Sequence, residues 1–343
     1  MKYLPCENIV ELLDRLSERG TVYVPNPEDG GVNYRVRQPG QDPLEAMRMQ
    51  NSVLSPKDLF FPQTEGIFRF TEVGQDLAIE QVDPGPEPVI VFGMRPCDAL
   101  SLDLLDKAFL EGQFKETFYQ QRRKGSTLIT WACLNPSETC FCTSFDCEPG
   151  RTKHGDLHLT DLGEGLAVQA TSPTGEEIVA EIDDLLRDAS SDEQDRAEQV
   201  QDEAAEGVSL SVPVEGIEGL LADCYDAPIW EELAAACLGC GVCTYLCPTC
   251  HCYDLDGETQ GQQGIRFRCW DSCMFSDFTR MAGGENPRPT KRERVRNRFL
   301  HKLQYFGENH DVYGCVGCGR CLLHCPVGVD ITELIHRVRE GAQ

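Results

Sequence analysis

Long hydrophobic runs are missing from this sequence. Nowhere do about eighteen apolar residues follow one another, so no segment is expected to cross a membrane as a helix. Positive charge is scarce: 31 Lys and Arg stand against 57 Asp and Glu. The resulting net charge of −26 repels phosphate backbones and excludes nucleic acid as an expected partner. No GxGxxG follows a strand-like run, and there is neither a phosphate loop nor a CxxCH haem motif. Met1 to Asp14 contain no continuous apolar stretch, so no signal peptide is expected and the protein reads as cytoplasmic.

Cysteine, by contrast, is abundant, at 19 residues in a chain of 343. Without an export signal these thiols are expected to stay reduced and to hold metal, in an anaerobic cytoplasm. Eight of them form two matched runs, Cys237, Cys240, Cys243, Cys247 and Cys315, Cys318, Cys321, Cys325, each closed by a proline, Pro248 and Pro326. Each run reads CxxCxxCxxxCP. In that spacing three thiolates wrap one iron–sulfur cube and the fourth reaches the other cube of a pair. The expected ligand sets are therefore Cys237, Cys240, Cys243, Cys325 for a first 4Fe-4S cluster and Cys315, Cys318, Cys321, Cys247 for a second. Zinc sites usually pair separated CxxC units, and disulfides need an oxidising compartment, so both alternatives are disfavoured.

Upstream, Glu7 to Arg19 carries apolar residues at helical spacing and stops at Gly20, which predicts an amphipathic helix with a glycine C-cap. Thr21 to Pro25 reads as a strand. In Ser55 to Gln63 an exposed Lys57 is expected beside Phe60 and Phe61, either as a docking loop or with both rings packed inward. Two wholly apolar runs, Val89 to Phe92 and Ser126 to Ala132, read as buried parallel strands, and each is followed by a cysteine, Cys97 and Cys133. With Cys140 and Cys142 these form a candidate third 4Fe-4S site at the strands' carboxyl ends, and Cys147 is a substitute ligand. The alternative is that Cys97 and Cys133 are merely buried small hydrophobes.

The stretch from Glu176 to Glu206 is acidic and alanine-rich, and reads as a solvated helix or hinge, with a disordered linker as the alternative. Trp230 to Ala236 is a short helix leading into Cys237. Between the two runs lies an insertion whose Cys250, Cys252, Cys269 and Cys273 are candidate further ligands; His251 is read as structural, and Cys6 and Cys224 as plain thiols. A basic amphipathic helix is expected from about Lys291 to Phe306, opened by a Thr290/Glu293 capping box. Its arginines either offset cluster charge or form a solvated face.

The motifs CLGCGVCTYLCPTC, WDSC, AGGENPR and CVGCGRCLLHCPVGVDI, with MRPCD and CFCTS upstream, resemble the beta subunit of cytoplasmic sulfhydrogenases and the A subunit of anaerobic sulfite reductase. The upstream half is also similar to the beta subunit of deazaflavin-reducing hydrogenases, where a cysteine-ended strand pair holds a cluster. The resemblance implies a wiring subunit that passes single electrons between a flavin/NAD(P)-binding reductase subunit and a catalytic subunit of hydrogenase, sulfite reductase or heterodisulfide reductase type. Flavin is then expected on a partner. The acidic stretch, Cys147 and Cys269 depart from the family pattern. A substrate-active chain with an open cluster or a flavin, and a redox-sensing scaffold, are the rival readings. The fold expected is an N-terminal α/β domain (1–175), an acidic connection (176–227) and a helical, ferredoxin-like dicluster domain (228–343) with an insertion at 249–314.

Overall fold

The computed structural model describes residues 1–49, 51–83 and 88–341. Its strands, in chain order, are β1 (Lys2–Pro5), β2 (Thr21–Glu28), β3 (Gly31–Val36), β4 (Thr64–Val73), β5 (Asp76–Gln81), β6 (Val89–Met94), β7 (Thr127–Trp131), β8 (Leu157–Asp161), β9 (Gly165–Ala170), β10 (Arg187–Asp188), β11 (Tyr253–Gln260) and β12 (Gln263–Trp270). They form two sheets, of order β10-β1-β9-β8-β7-β6-β2-β3 and β11-β12-β4-β5. With the helices between and after them, the chain is a mixed α/β structure with a helical, cysteine-rich C-terminal part.

In the larger sheet β2, β6, β7 and β8 run parallel, and the edges are antiparallel. All five residues of β7 are buried, as the unbroken apolar run requires of a strand covered on both faces. Parallel pairing of β6 with β7 sets their carboxyl ends side by side. The chain leaves one end into the helix Pro96–Leu110, which carries Cys97, and the other into the loop that carries Cys133.

The first helix runs Ile9–Arg19 and buries Ile9, Leu12, Leu13 and Leu16. Gly20 does not cap it in the left-handed region: its backbone is extended, with φ 169°. Glycine is needed there because a Cβ would stand 2.3 Å from the Pro88 carbonyl oxygen. The segment 55–63 is also not a docking loop. Phe60 and Phe61 are fully buried, and Lys57, expected at the surface, is only 2% exposed.

The acidic stretch is folded. The helix Ser191–Glu206 opens with a Ser190/Glu193 capping box, buries Ala197, Val200, Gln201 and Ala204, and donates from Gln201 Nε2 to Thr160 Oγ1 on β8 at 2.7 Å. Small apolar residues on one face of an otherwise charged helix are enough to dock it on a sheet. The disordered-linker alternative is thereby excluded.

Hairpin β11–β12, from the insertion, pairs with β4 from the upstream half, from Gln263 opposite Thr71 to Cys269 opposite Thr64. Buried Arg268 and Glu65 join the two hairpins, Nε to Oε2 at 2.8 Å. The basic helix begins at Lys291 with the expected Thr290/Glu293 box. It runs to Leu300 and continues through a π turn, His301–Tyr305, into Phe306–His310. Its cations are not a solvated face, since Arg294, Arg296, Arg298 and Lys302 are all buried. Among the described residues, no helix is long and apolar enough to cross a membrane.

Candidate metal centre

Three cavities lie where the cysteines meet. The first is lined by Cys237, Cys240, Cys243 and Cys325 among apolar Val242, Met274, Val295 and Phe299. The second is lined by Cys247, Cys315, Cys318 and Cys321, with Phe141, Val316 and Ile331. Each run thus lends its last cysteine to the cavity lined by the other run. Cys321 also borders the first cavity, so these two sites are neighbours. The third cavity is lined by Cys97, Cys133, Cys140, Cys142 and Cys147, and Cys318 of the second site borders it. The sites therefore follow one another in the order one, two, three.

Local backbone geometry explains how the loop carrying Cys315 and Cys318 (loop two) and the loop carrying Cys140 and Cys142 (loop three) come so close. Gly317 and Gly319 lie in the left-handed region, at φ +60° and +73°, where side chains are strained. A Cβ would stand 2.4 Å from Phe141 O on the first and 2.5 Å from Thr139 O on the second. The bare backbones can touch, and Phe141 N donates to Gly317 O at 2.8 Å.

The 19 cysteines are all free thiols. Among the described residues, no three His, Cys, Asp or Glu side chains close on one point as a single metal ion requires. The thiols instead stand around cavities. Burial pushes the Cys318 thiol up to about 11 and Cys140 up to about 12, so these groups become thiolates only when something positive holds them. Cys240 is the exposed member of the first set, beside Leu238 at 65% exposure.

Buried cations surround sites one and two, and their nearest acceptors are thiols and carbonyls rather than carboxylates. Arg298 Nε donates to Cys243 Sγ at 3.0 Å and Nη2 to Cys243 O at 3.0 Å. Lys302 Nζ donates to Cys247 Sγ at 3.1 Å, Thr249 Oγ1 at 2.8 Å and Gly314 O at 3.0 Å. Lys57 Nζ donates to the carbonyls of Cys247 and Cys250 at 2.7 and 2.8 Å, and lies 4.2 Å over the Trp270 ring. Burial lowers the Lys57 pKa. Arg298 borders the first cavity, and its Nη1 is buried without a hydrogen-bond partner. Unpaired buried cations and an orphaned donor at a thiol-lined cavity fit an anionic group such as an iron–sulfur cube.

The remaining cysteines divide. Cys250 lies against Cys247, and Cys252 and Cys273 are hydrogen-bonded to each other, so the fold gathers these three beside the first two sites. They line none of the three cavities. Cys269 is not brought to them: it lies on β12 opposite Asp254, with Asp271 and Asp256 as its charged neighbours. Cys6 donates to Gly163 O at 3.6 Å, and Cys224 is packed in the core. His251 packs among the rings of Phe109, His301 and Phe306.

Sequence reasoning missed Lys57, Lys302 and the Arg320–Asp98 pair as part of the site, and left Arg298 among the helix arginines that either offset cluster charge or form a solvated face. A signal for Arg298 and Lys302 was present: each precedes an apolar position of the helix, Phe299 and Leu303, and so lies at the edge of its buried stripe. Nothing local marks Lys57 or Asp98, which act on residues about two hundred positions away.

Residues 236–329 match the family model of a 4Fe-4S dicluster domain. The chain is also 31% identical, over 344 residues that cover 99% of each sequence, to a protein of Pyrococcus furiosus described as sulfhydrogenase 2 subunit beta. A likeness at that level over the whole length carries the upstream sheet as well as the cysteine runs, and the chain accordingly belongs to the sulfhydrogenase beta-subunit family of iron–sulfur proteins.

Proposed function

We propose that this chain is the electron-relay subunit of a multisubunit oxidoreductase, holding three 4Fe-4S clusters in series. The observation that carries the reading is the sharing of cavity walls: Cys321 borders sites one and two, and Cys318 borders sites two and three. When bound, such clusters take up and release single electrons. Cys237, Cys240, Cys243 and Cys325 would hold the first; Cys247, Cys315, Cys318 and Cys321 the second; and Cys97, Cys133, Cys140 and Cys142 the third. Cys147 is the spare thiol of the third set.

The chain's own residues keep these positions dry and charge-balanced. Met274, Val295 and Phe299 exclude water from site one, Phe141 and Ile331 from site two, Arg298 and Lys302 reach the sulfurs of Cys243 and Cys247, and Lys57 donates to the carbonyls of Cys247 and Cys250. Site one comes nearest the surface, at exposed Cys240 and Leu238, and one partner is placed there. In this reading the partners are a flavin/NAD(P)-binding reductase subunit and a catalytic subunit, in the cytoplasm of an anaerobic cell; that the Pyrococcus furiosus relative is a subunit of a sulfhydrogenase supports assembly with other subunits. Flavin belongs to the reductase partner.

Iron and sulfide analysis of the anaerobically purified chain tests the reading. About twelve irons per chain are expected, and about eight after Cys133→Ser. A value near eight in the unmodified chain would remove the third cluster, and one near four would sink the whole reading. Turnover of a substrate by the chain without partners would favour a substrate-active subunit instead.

A further inference from the structure

Arg298 and Lys302 lie four residues apart on one helix, and the cysteines whose sulfurs they contact, Cys243 and Cys247, are also four apart. Residues four apart face the same side of a helix, so the two cations are presented together to the first cysteine run. Because of the crossed sets, one contact falls on site one and the other on site two.

Lys302 Nζ lies within hydrogen-bond distance of Cys247 Sγ, Thr249 Oγ1 and Gly314 O, and Thr249 Oγ1 itself lies 3.2 Å from Cys247 Sγ. Behind it, Lys57 donates to the carbonyls of Cys247 and Cys250. Site two therefore has a lysine nitrogen on a ligand sulfur, and site one has the Arg298 guanidinium on another.

Site three is different. The side-chain donor that reaches one of its thiols is the uncharged amide of Asn51, Nδ2 to Cys97 Sγ at 3.6 Å. Its nearest cations send their hydrogen bonds elsewhere, and only Arg95 keeps its charge beside Cys133. Arg95 donates to the carbonyls of Met47, Met49 and Ala132, and Arg320 is neutralised by Asp98 and held by Asn51 and Ser52. Among the described residues, no lysine or arginine nitrogen is hydrogen-bonded to the thiols of this set.

Hydrogen bonds to cluster sulfurs and nearby positive charge favour the reduced, more negative state, and so raise a reduction potential. Resting on the three-site reading above, we infer that Arg298 and Lys302 are positioning residues that raise sites one and two above site three. Site three becomes the low-potential end of the series, and electrons run downhill from the cysteine-ended strands towards the dicluster segment.

An anaerobic redox titration of the full chain, followed by electron paramagnetic resonance, tests this. Cys133→Ser should delete the signal reduced last, with the two others unmoved. Lys302→Met should shift one of the earlier signals to lower potential at unchanged iron content, and Lys302→Arg should restore most of the shift. If Cys133→Ser deletes a signal reduced earlier, or if Lys302→Met moves nothing at full iron, the gradient is overturned. Should Lys302→Met lose iron, the unmodified chain decides: lysine labelled with nitrogen-15 should give a hyperfine coupling on an early-reduced signal that is absent in Lys302→Arg, and absence of the coupling overturns the contact. Failure of the three-site reading is seen separately, as an iron content unchanged by Cys133→Ser; that result removes the low-potential end and overturns the gradient too.

Discussion

Arg320 and Asp98, 222 positions apart, form a bidentate ion pair at 2.8 Å on both arms, and both are almost fully buried. Arg320 follows the second site's glycine loop; Asp98 follows Cys97 of the third. The same guanidinium donates to Ser52 O and Asn51 Oδ1, each at 2.8 Å. A fork of fixed geometry, satisfied on every side, sets the distance between two neighbouring sites.

Removing one partner leaves a buried charge alone. Asp98→Ala should destabilise the protein by about 3–5 kcal/mol, and Arg320→Lys, which loses the fork but keeps a charge, by less. Denaturant unfolding of the anaerobic holoprotein measures both, and equal losses for the two variants would show that geometry, not charge, dominates.

The glycine contact between loops two and three tolerates no side chain. Gly317→Ala should separate Cys318 from the loop carrying Phe141 and Cys142, because a Cβ has backbone atoms at 2.4 Å and a left-handed φ against it. The expected iron content falls from about twelve to about four, with site one retained. A variant that keeps all its iron would show that the loops can part without losing either site.

Cys269 is the cysteine of the insertion that the fold leaves among carboxylates. Cys269→Ser should leave iron content and every paramagnetic signal as they are in the unmodified protein, whereas Cys247→Ser should remove a signal. Loss of iron in Cys269→Ser would make it a ligand.

His158 ties β8 to the Cys147–Gly150 loop region through Gly150 O at 2.9 Å, and lies 2.9 Å from Thr130 Oγ1. Burial holds its pKa below the usual histidine value, so it is neutral in the folded protein. The unfolded chain takes up a proton below about pH 6.5 and the folded one does so only at lower pH, so this contribution is complete above pH 6.5 and is lost as pH falls. The slope is at most about 1.4 kcal/mol per pH unit. His158→Gln should unfold more easily at pH 7 but show a shallower loss between pH 6.5 and 5, read by denaturation at each pH; an unchanged slope would assign the acid sensitivity to other groups.

Much of this protein can be read from its sequence because the determining signals are local. The 2,2,3 spacing of each cysteine run, the apolar runs of β6 and β7 and the Thr290/Glu293 box concern residues within one turn or strand of each other, where chain connectivity alone fixes who can meet whom. Lys57 was misread, and the two readings of the basic helix stayed open, for the opposite reason. A lysine looks solvated until the surface that covers it is known, and here that surface comes from Trp270 and the Cys247–Cys250 segment. By itself the sequence determined the ligand types, their grouping in runs and the strands that end in cysteine. Only the tertiary structure decided that the insertion's hairpin completes a sheet with β4, that Cys318 borders two sites, and which thiols face a buried cation, because desolvation and charge pairing depend on neighbours the chain brings together from far apart.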